Sequence, residues 1–284
     1  MKFWKMNGAG NDFIIFNNIE EGLTVEEYCE LAKDVCERHM SVGADGIMVV
    51  DRVSEKGRAA GADFKMTYIN SDGTIAEMCG NGARCICRYG YENGLSGEEQ
   101  VIEVSSGIVK GLRIDGNNYR IRLTDPSVLE MDYPVTVDGK MYPAAYVELG
   151  IPGMSHAVVE LAGLRSMSDR ELYDLGKKMR YSSIYKKGAN INFFEIIGKD
   201  EIYEKTYERG VEDLTYACGT GTGSQAVVLA LGGRCSDQNI RVHVRGGLLT
   251  VDINRDTTKA GTPEEIKDLF LTGPTKIVCR GELG

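Results

Sequence analysis

The chain has 284 residues, 42% hydrophobic and 26% charged, a globular balance with enough apolar residues for a full core. Its formal net charge of −9 argues against nucleic acid as the main partner. No apolar run approaches the ~20 residues that cross a bilayer, and the start MKFWKMNGAGND lacks a leader-like apolar region, so a cytoplasmic protein without a membrane partner is expected.

In chain order, the first strand-like run is 12–16. Thr24 and Glu27 then form a capping box, and Tyr28, Leu31, Ala32 and Val35 make one apolar stripe behind it, which predicts a helix with a wet outer face. Strands are predicted at 47–50 and 65–69. A second helix follows Cys79-Gly80-Asn81-Gly82 and runs through Ala83, Cys85, Ile86 and Cys87. Strands at 101–105, 119–123 and 156–161 come next, followed by another capping box, Ser168 with Glu171, opening a second outer helix. After a strand at 192–197, the tetrad Cys218-Gly219-Thr220-Gly221 leads into a helix with almost no polar face beyond Gln225. A helix apolar all round is buried. Strands at 240–244 and 248–253 complete the pattern. Hairpin-like pairs outnumber βαβ units, so the sheets are expected to be mixed or antiparallel.

The tetrads CGNG and CGTG are one device used twice. Gly10-Asn11-Asp12-Phe13 and Asn190-Ile191-Asn192-Phe193 look related too, although their separation does not match that of the tetrads. Two pseudo-symmetric halves are expected, dividing at the turn residues Gly116-Asn117-Asn118: 1–117 with Cys79, completed by a C-terminal strand at about 265–284, and 118–264 with Cys218.

Eight cysteines in a chain of this length, without a CxxC, do not suggest a disulfide scaffold. Three histidines, none in a metal-binding spacing, give no zinc site. CGNGARC lacks the third glycine of a dinucleotide loop, CGTGTGS has Ser224 there, and no phosphate-binding GxxxxGK[ST] occurs. No cofactor and no metal are therefore expected. Cys79 and Cys218 each precede Gly-x-Gly and a buried helix start. That setting gathers N–H groups on one point, suits a small anion such as a carboxylate, and is expected to lower the thiol pKa. Two such thiols suggest stereoinversion: one removes a proton from a carbon next to the bound carboxylate, and the other returns a proton to the opposite face.

These motifs resemble the diaminopimelate epimerase family of cofactor-independent two-cysteine amino-acid epimerases and racemases. The resemblance runs from end to end, through MNGAGNDF at 6–13, RHMSVGADG at 38–46, NSDGTIAEMCGNGARC at 70–85, GANINF at 188–193, and YERG and ACGTG within 207–221. It implies an α+β fold of two similar domains, each a curled mixed or antiparallel sheet wrapped around a central buried helix, with the active site in a cleft between them. It further implies Cys79 and Cys218 as exchanging base and acid, with Glu208 and His156 supporting them. Asn11 would lie near the catalytic centre, and Gly80, Asn81, Gly219 and Thr220 would hold the substrate carboxylate. Asn70, Asn190 and Arg209 would hold the far end of diaminopimelate.

Two segments depart from the family pattern. Gly153-Met154-Ser155-His156 stands where Asn-Pro-His is usual, and Leu214-Thr215-Tyr216 where a run such as Glu-Thr-Leu is common; both are expected to make the pocket less polar. The expected reaction is LL-to-meso epimerisation of diaminopimelate, a step of lysine and peptidoglycan synthesis. The alternatives are racemisation of another amino acid such as histidine, and an amino-acid-binding protein without catalysis. The partner is a small amino acid, and the one protein partner considered is a second copy of the chain, as a homodimer.

Overall fold

A computed structural model describes residues 1–76 and 78–284. The chain folds into two compact units, Met1–Arg122 with Thr272–Gly284, and Leu123–Leu271. The turn at 116–118, read above as the division, instead closes an antiparallel hairpin between Gly107–Arg113 and Asn118–Leu123. The units part just after it, and the chain returns to the first unit at Thr272 rather than near 265.

In the first unit the strands run Lys276–Glu282, Lys2–Gly8, Asn11–Asn17, Gly46–Asp51, Phe64–Asn70, Glu99–Val104, Gly107–Arg113 and then the strand from Asn118. Asn11–Asn17 pairs parallel with Gly46–Asp51, and Phe64–Asn70 pairs parallel with Glu99–Val104; the other pairs are antiparallel. One sheet face carries Ile14, Phe16, Ile47 and Val49 against Tyr28, Ala32 and Val35 of the Val25–Val35 helix. The other turns Phe13 and Met48 toward the central helix Gly80–Glu92, which is buried over most of its length. A strand buried on both faces needs apolar residues in succession, which is why Phe13-Ile14-Ile15-Phe16 and Ile47-Met48-Val49-Val50 do not alternate.

The second unit repeats the plan. Its strands run Pro126–Glu130, Ala144–Leu149, Met154–Glu160, Asn190–Gly198, Glu201–Glu208, Ile240–Val244 and Gly247–Arg255. Parallel pairs recur at Met154–Glu160 with Asn190–Gly198 and at Glu201–Glu208 with Ile240–Val244. Leu172 and Met179 of the outer helix Asp169–Arg180 pack with Val159, Ile191, Phe193 and Tyr207. The central helix is Gly219–Leu231. Both capping boxes read from the sequence are present, at Thr24–Glu27 and Ser168–Glu171. Among the described residues no helix is long and apolar enough to cross a membrane.

Register settles the internal repeat. Phe13 pairs with Gly46, and Gly46 with Asn70. In the second unit His156 pairs with Asn190, and Ile191 with Tyr207, which brings Asn190 level with Glu208. Phe13 therefore corresponds to His156, Gly46 to Asn190, and Asn70 to Glu208. Gly10–Phe13 leads into the second strand of the repeat and Asn190–Phe193 opens the third, so their likeness does not mark equivalent positions, and their separation had no reason to match.

The two Gly-x-Gly loops differ in what surrounds them. A Cβ on Gly82 would fall 1.9 Å from Met48 Cε, the mobile end of a flexible side chain. A Cβ on Gly221 would fall 2.0 Å from Oδ1 of Asn192, a fully buried amide held at both ends. Gly221→Ala is expected to lower the unfolding free energy by about 3 kcal/mol, the upper range of ordinary overpacking. In Gly82→Ala a helix-propensity gain of about 1 kcal/mol offsets a smaller strain. Urea unfolding of the pair checks the contrast, and equal losses would contradict it.

Candidate active-site residues

Each candidate cysteine is the N-cap residue of a 13-residue central helix. Cys79 has φ −123° and ψ 122°, Cys218 has φ −113° and ψ 103°, and neither caps its helix by a side-chain hydrogen bond. The first N–H groups of a helix have no carbonyl of their own helix to bond, so each site carries donors and the positive end of a helix dipole. All eight cysteines are thiols rather than disulfides.

In the first unit the Cys79 loop is backed by a line of hydrogen bonds. Arg84 Nη2 donates to Asn81 Oδ1 (2.8 Å), Asn81 Nδ2 to Asn11 Oδ1 (2.6 Å), and Asn11 Nδ2 to Asp45 Oδ2 (3.1 Å). Asp45 is also bound by Arg38, which with Lys5 holds Asp12. Asn11 and Asn81 thus meet beside Cys79. Arg84 is fully buried, its side chain turned back so that Nη1 lies 3.5 Å from the Gly80 carbonyl, while Nε has no hydrogen-bond partner among the described residues. Burial pulls its pKa down, and the thiols of Cys85, Cys79 and Cys87 act in the opposite sense. A thiolate at Cys79 therefore has a guanidinium close by. Asn70 closes a turn, its Nδ2 donating to Thr74 Oγ1 at 3.0 Å and its backbone N–H to the Thr74 carbonyl at 2.8 Å.

In the second unit Cys218 is 5% exposed, with Sγ 3.7 Å from Thr220 Oγ1. The sequence led to the expectation of a lowered thiol pKa; the structure reverses it. Burial, then the carboxylate of Glu208, push Cys218 well above the ordinary thiol range, and the Gly221 N–H and Thr220 hydroxyl offset only part of this. Alternation along Glu201–Glu208 puts Glu204, Thr206 and Glu208 on one face, toward the central helix.

His156 is fully buried. Its Nδ1 lies 3.2 Å from Asn192 Nδ2, and its Nε2 has no hydrogen-bond partner among the described residues. Burial, aided by the Arg209 charge, lowers its pKa to about 3 against the raising effect of the Asn192 contact, so the ring is neutral. Asn190 accepts from the Arg209 backbone N–H (2.8 Å) and donates to the Ser155 carbonyl (3.2 Å). Its amide joins the segment before His156 to the segment after Glu208. Arg209 Nη1 donates to the Lys187 carbonyl at 2.8 Å. Met154 Sδ is 3.5 Å from Thr220 Oγ1, so the departure from the family pattern does border the Cys218 loop. Leu214 does not. It pairs with Tyr207 and packs with it in the outer cluster, on the sheet face away from Cys218, so it says nothing about pocket polarity.

Several buried charged side chains escaped the sequence reading, and the two most deeply buried of them, Arg84 and Glu204, stand in the two units behind the cysteine loops. The signal for Arg84 was present, a charge one turn into a helix read as buried. Among the described residues no group of three or more His, Cys, Asp or Glu side chains is arranged to hold a metal ion.

The diaminopimelate epimerase family model matches residues 3–128 and 151–275. A diaminopimelate epimerase of Aquifex aeolicus is 34% identical over 295 aligned positions, covering 100% of this chain and 98% of that one. Another, of Caldanaerobacter subterraneus, is 33% identical over 300 positions, covering 100% and 99%. The crystal structure of a Bacillus anthracis phenazine biosynthesis protein of the PhzF family shares the fold, with a TM-score of 0.73 at 18% identity and coverage of 100% and 99%. Full-length identity of this degree, a family model spanning both units and the twice-used cysteine loop together place this chain in the diaminopimelate epimerase family.

Proposed function

We propose that this chain interconverts the LL and meso forms of diaminopimelate in the cytoplasm, without a cofactor, using Cys79 and Cys218 as the acid/base pair. The observation that carries the reading is the duplicated device, a cysteine at the N-cap of a buried helix in each unit, with Glu208 beside the second. One thiolate takes the α-proton, the S–H of the other thiol gives a proton to the opposite face, and the pair exchanges roles for the other hand. Burial and Glu208 keep Cys218 protonated at rest, which makes it the resting acid. The α-proton is very weakly acidic, so charge on the carboxylate must be met in the transition state. The N–H groups around Gly80, Asn81, Gly219 and Thr220 supply that stabilisation. Asn11 shapes the first loop through Asn81, and Asn190 fixes the chain that carries His156 and Glu208. Arg209 and Asn70 are the candidates for the distal end.

Met154 beside Thr220 favours a second reading, the same inversion on an amino acid with a less polar side chain. Incubation of diaminopimelate isomers and a panel of L-amino acids in D₂O separates the two. Deuterium entering the α-position of diaminopimelate, with Arg209→Ala lowering kcat/KM by about 10- to 100-fold for a lost charged hydrogen bond, is the expected result. Exchange with histidine or another mono-carboxylic acid, and none with diaminopimelate, selects the second reading. Tight binding without exchange would leave a binding protein.

A further inference from the structure

Glu204 is a buried acid that the reaction does not call on. Only 1% exposed, it stands on the strand that ends in Glu208, two positions of alternation away. Its Oε2 accepts from Thr222 Oγ1 of the central helix at 2.8 Å, and its Oε1 is 3.1 Å from Thr206 Oγ1. Thr206 Oγ1 is also 3.1 Å from Asn192 Oδ1. A threonine hydroxyl has one hydrogen. It cannot serve both an ionised Glu204 and the Asn192 carbonyl, yet both contacts are present in a cluster closed to water. Asn192 turns its Oδ1 to Thr206, because its Nδ2 faces acceptors only, its two hydrogens shared among the carbonyls of Ala157 (3.2 Å) and Asn190 (3.1 Å) and Nδ1 of His156 (3.2 Å). The count closes only when the extra hydrogen is on Glu204. Glu204 then donates to Thr206, and Thr206 donates to Asn192.

The far end of this line is the ring of His156. An amide nitrogen has no lone pair to offer, so Nδ1 of His156, 3.2 Å from Asn192 Nδ2, carries no proton. The ring proton is on Nε2, the buried nitrogen that no side chain satisfies. We propose that Glu204, as a neutral carboxylic acid, is a positioning residue: through Thr206 and Asn192 it fixes His156 in the tautomer that presents an Nε2–H donor. The same neutrality keeps a second negative charge from Cys218. The charged and titratable groups around Glu204 are Glu208 on its own strand, Cys218 on the central helix, His156 beyond Asn192, and Arg209 facing His156. Burial, reinforced by Glu208, raises Glu204 to about 7 against the hydrogen bonds of Thr222 and Thr206. It is therefore neutral in weak acid and ionises as pH rises through neutrality. Thr206 then turns to the new carboxylate, and Asn192 loses its donor.

The consequence for rate rests on the epimerase reading; the tautomer and the proton on Glu204 do not. Glu204→Gln is the decisive variant, since its amide donates to Thr206 and its carbonyl accepts from Thr222. With three histidines in the chain, ¹⁵N NMR resolves the ring states. The expected result is an Nε2–H ring for His156 in both wild type and E204Q at pH 6, and a protonated-carboxyl infrared band in wild type that E204Q lacks. Epimerisation by E204Q should stay near the wild-type rate at pH 6 but lose the wild-type decline above about pH 7. Glu204→Leu should cost about tenfold in kcat, the scale of one lost hydrogen bond. An Nδ1–H ring in wild type, a carboxyl band that survives in E204Q, or an unchanged pH profile in E204Q would each overturn the inference. Absence of epimerisation in wild type would remove the function proposed above, and the spectra would still decide the state of Glu204.

Discussion

Replacing either Cys79 or Cys218 by alanine is expected to abolish inversion while leaving the fold in place. A positioned acid or base commonly contributes ~10²–10⁴ in rate, and an inversion needs one on each face of the carbon, so neither thiol can stand in for the other. Each variant is also expected to keep a residue of its chemistry. With Cys218 gone, Cys79 can still lift a proton from its own face and return a deuteron to the same face. Slow α-exchange without inversion should therefore persist for one hand of substrate in Cys218→Ala and for the other hand in Cys79→Ala. Chiral chromatography and mass spectrometry in D₂O read both quantities, with circular dichroism to confirm folding. Substantial inversion by either folded variant would sink the two-thiol mechanism.

The second large effect is on stability. His156 is fully buried, with a pKa of about 3 in the folded chain against an ordinary value of 6.5. Above 6.5 the ring is neutral in both states and its contribution is fully present. As pH falls from 6.5 toward 3 the unfolded chain binds a proton that the folded chain refuses, so stability is lost by roughly 1.4 kcal/mol per unit, or about 5 kcal/mol in all. Glu204 acts in the opposite sense. Its pKa is raised from 4.5 to about 7, so its contribution is full below 4.5 and declines as pH rises through 7, by about 3 kcal/mol. Urea unfolding at several pH values should show His156→Gln losing less than wild type between pH 6.5 and 4. Glu204→Gln should gain on wild type between pH 5 and 8. Variants that keep the wild-type pH dependence would show that these two groups do not set it.

What the sequence made visible followed from packing. Strands that bury apolar residues in succession, such as 12–16 and 47–50, announced themselves, as did the capping boxes, whose hydrogen bonds are local, whereas Lys2–Gly8 and Ala144–Leu149 were not read. Glu201–Glu208 was not read either, because after Ile202 the residues on its inward face are Glu204, Thr206 and Glu208, so the end of the strand facing Cys218 reads as polar. The hydrophobic pattern fails where function has replaced packing. The thiol pKa of Cys218 was misjudged for a related reason: the helix start is local and legible, whereas the burial of the thiol, and the approach of Glu208 to it, arise only through the fold. Leu214 was misplaced because a strand of three residues gives too little alternation to tell which face is inward. Asn190 matched a family motif, but only the structure shows both ends of its amide bound to backbone.

The return of the chain to its first unit sets an order of assembly during synthesis. Residues 123–271 are contiguous, so the whole of the second unit has been made before residue 272 emerges from the ribosome. The first unit must wait, because Lys2–Gly8 lies between Asn11–Asn17 and Lys276–Glu282, and the last of these emerges only after the whole second unit. Until then Lys2–Gly8 is an edge strand carrying Phe3, Trp4 and Met6, the kind of edge that pairs with other nascent chains. Of the two units, the one begun first is thus the one finished last.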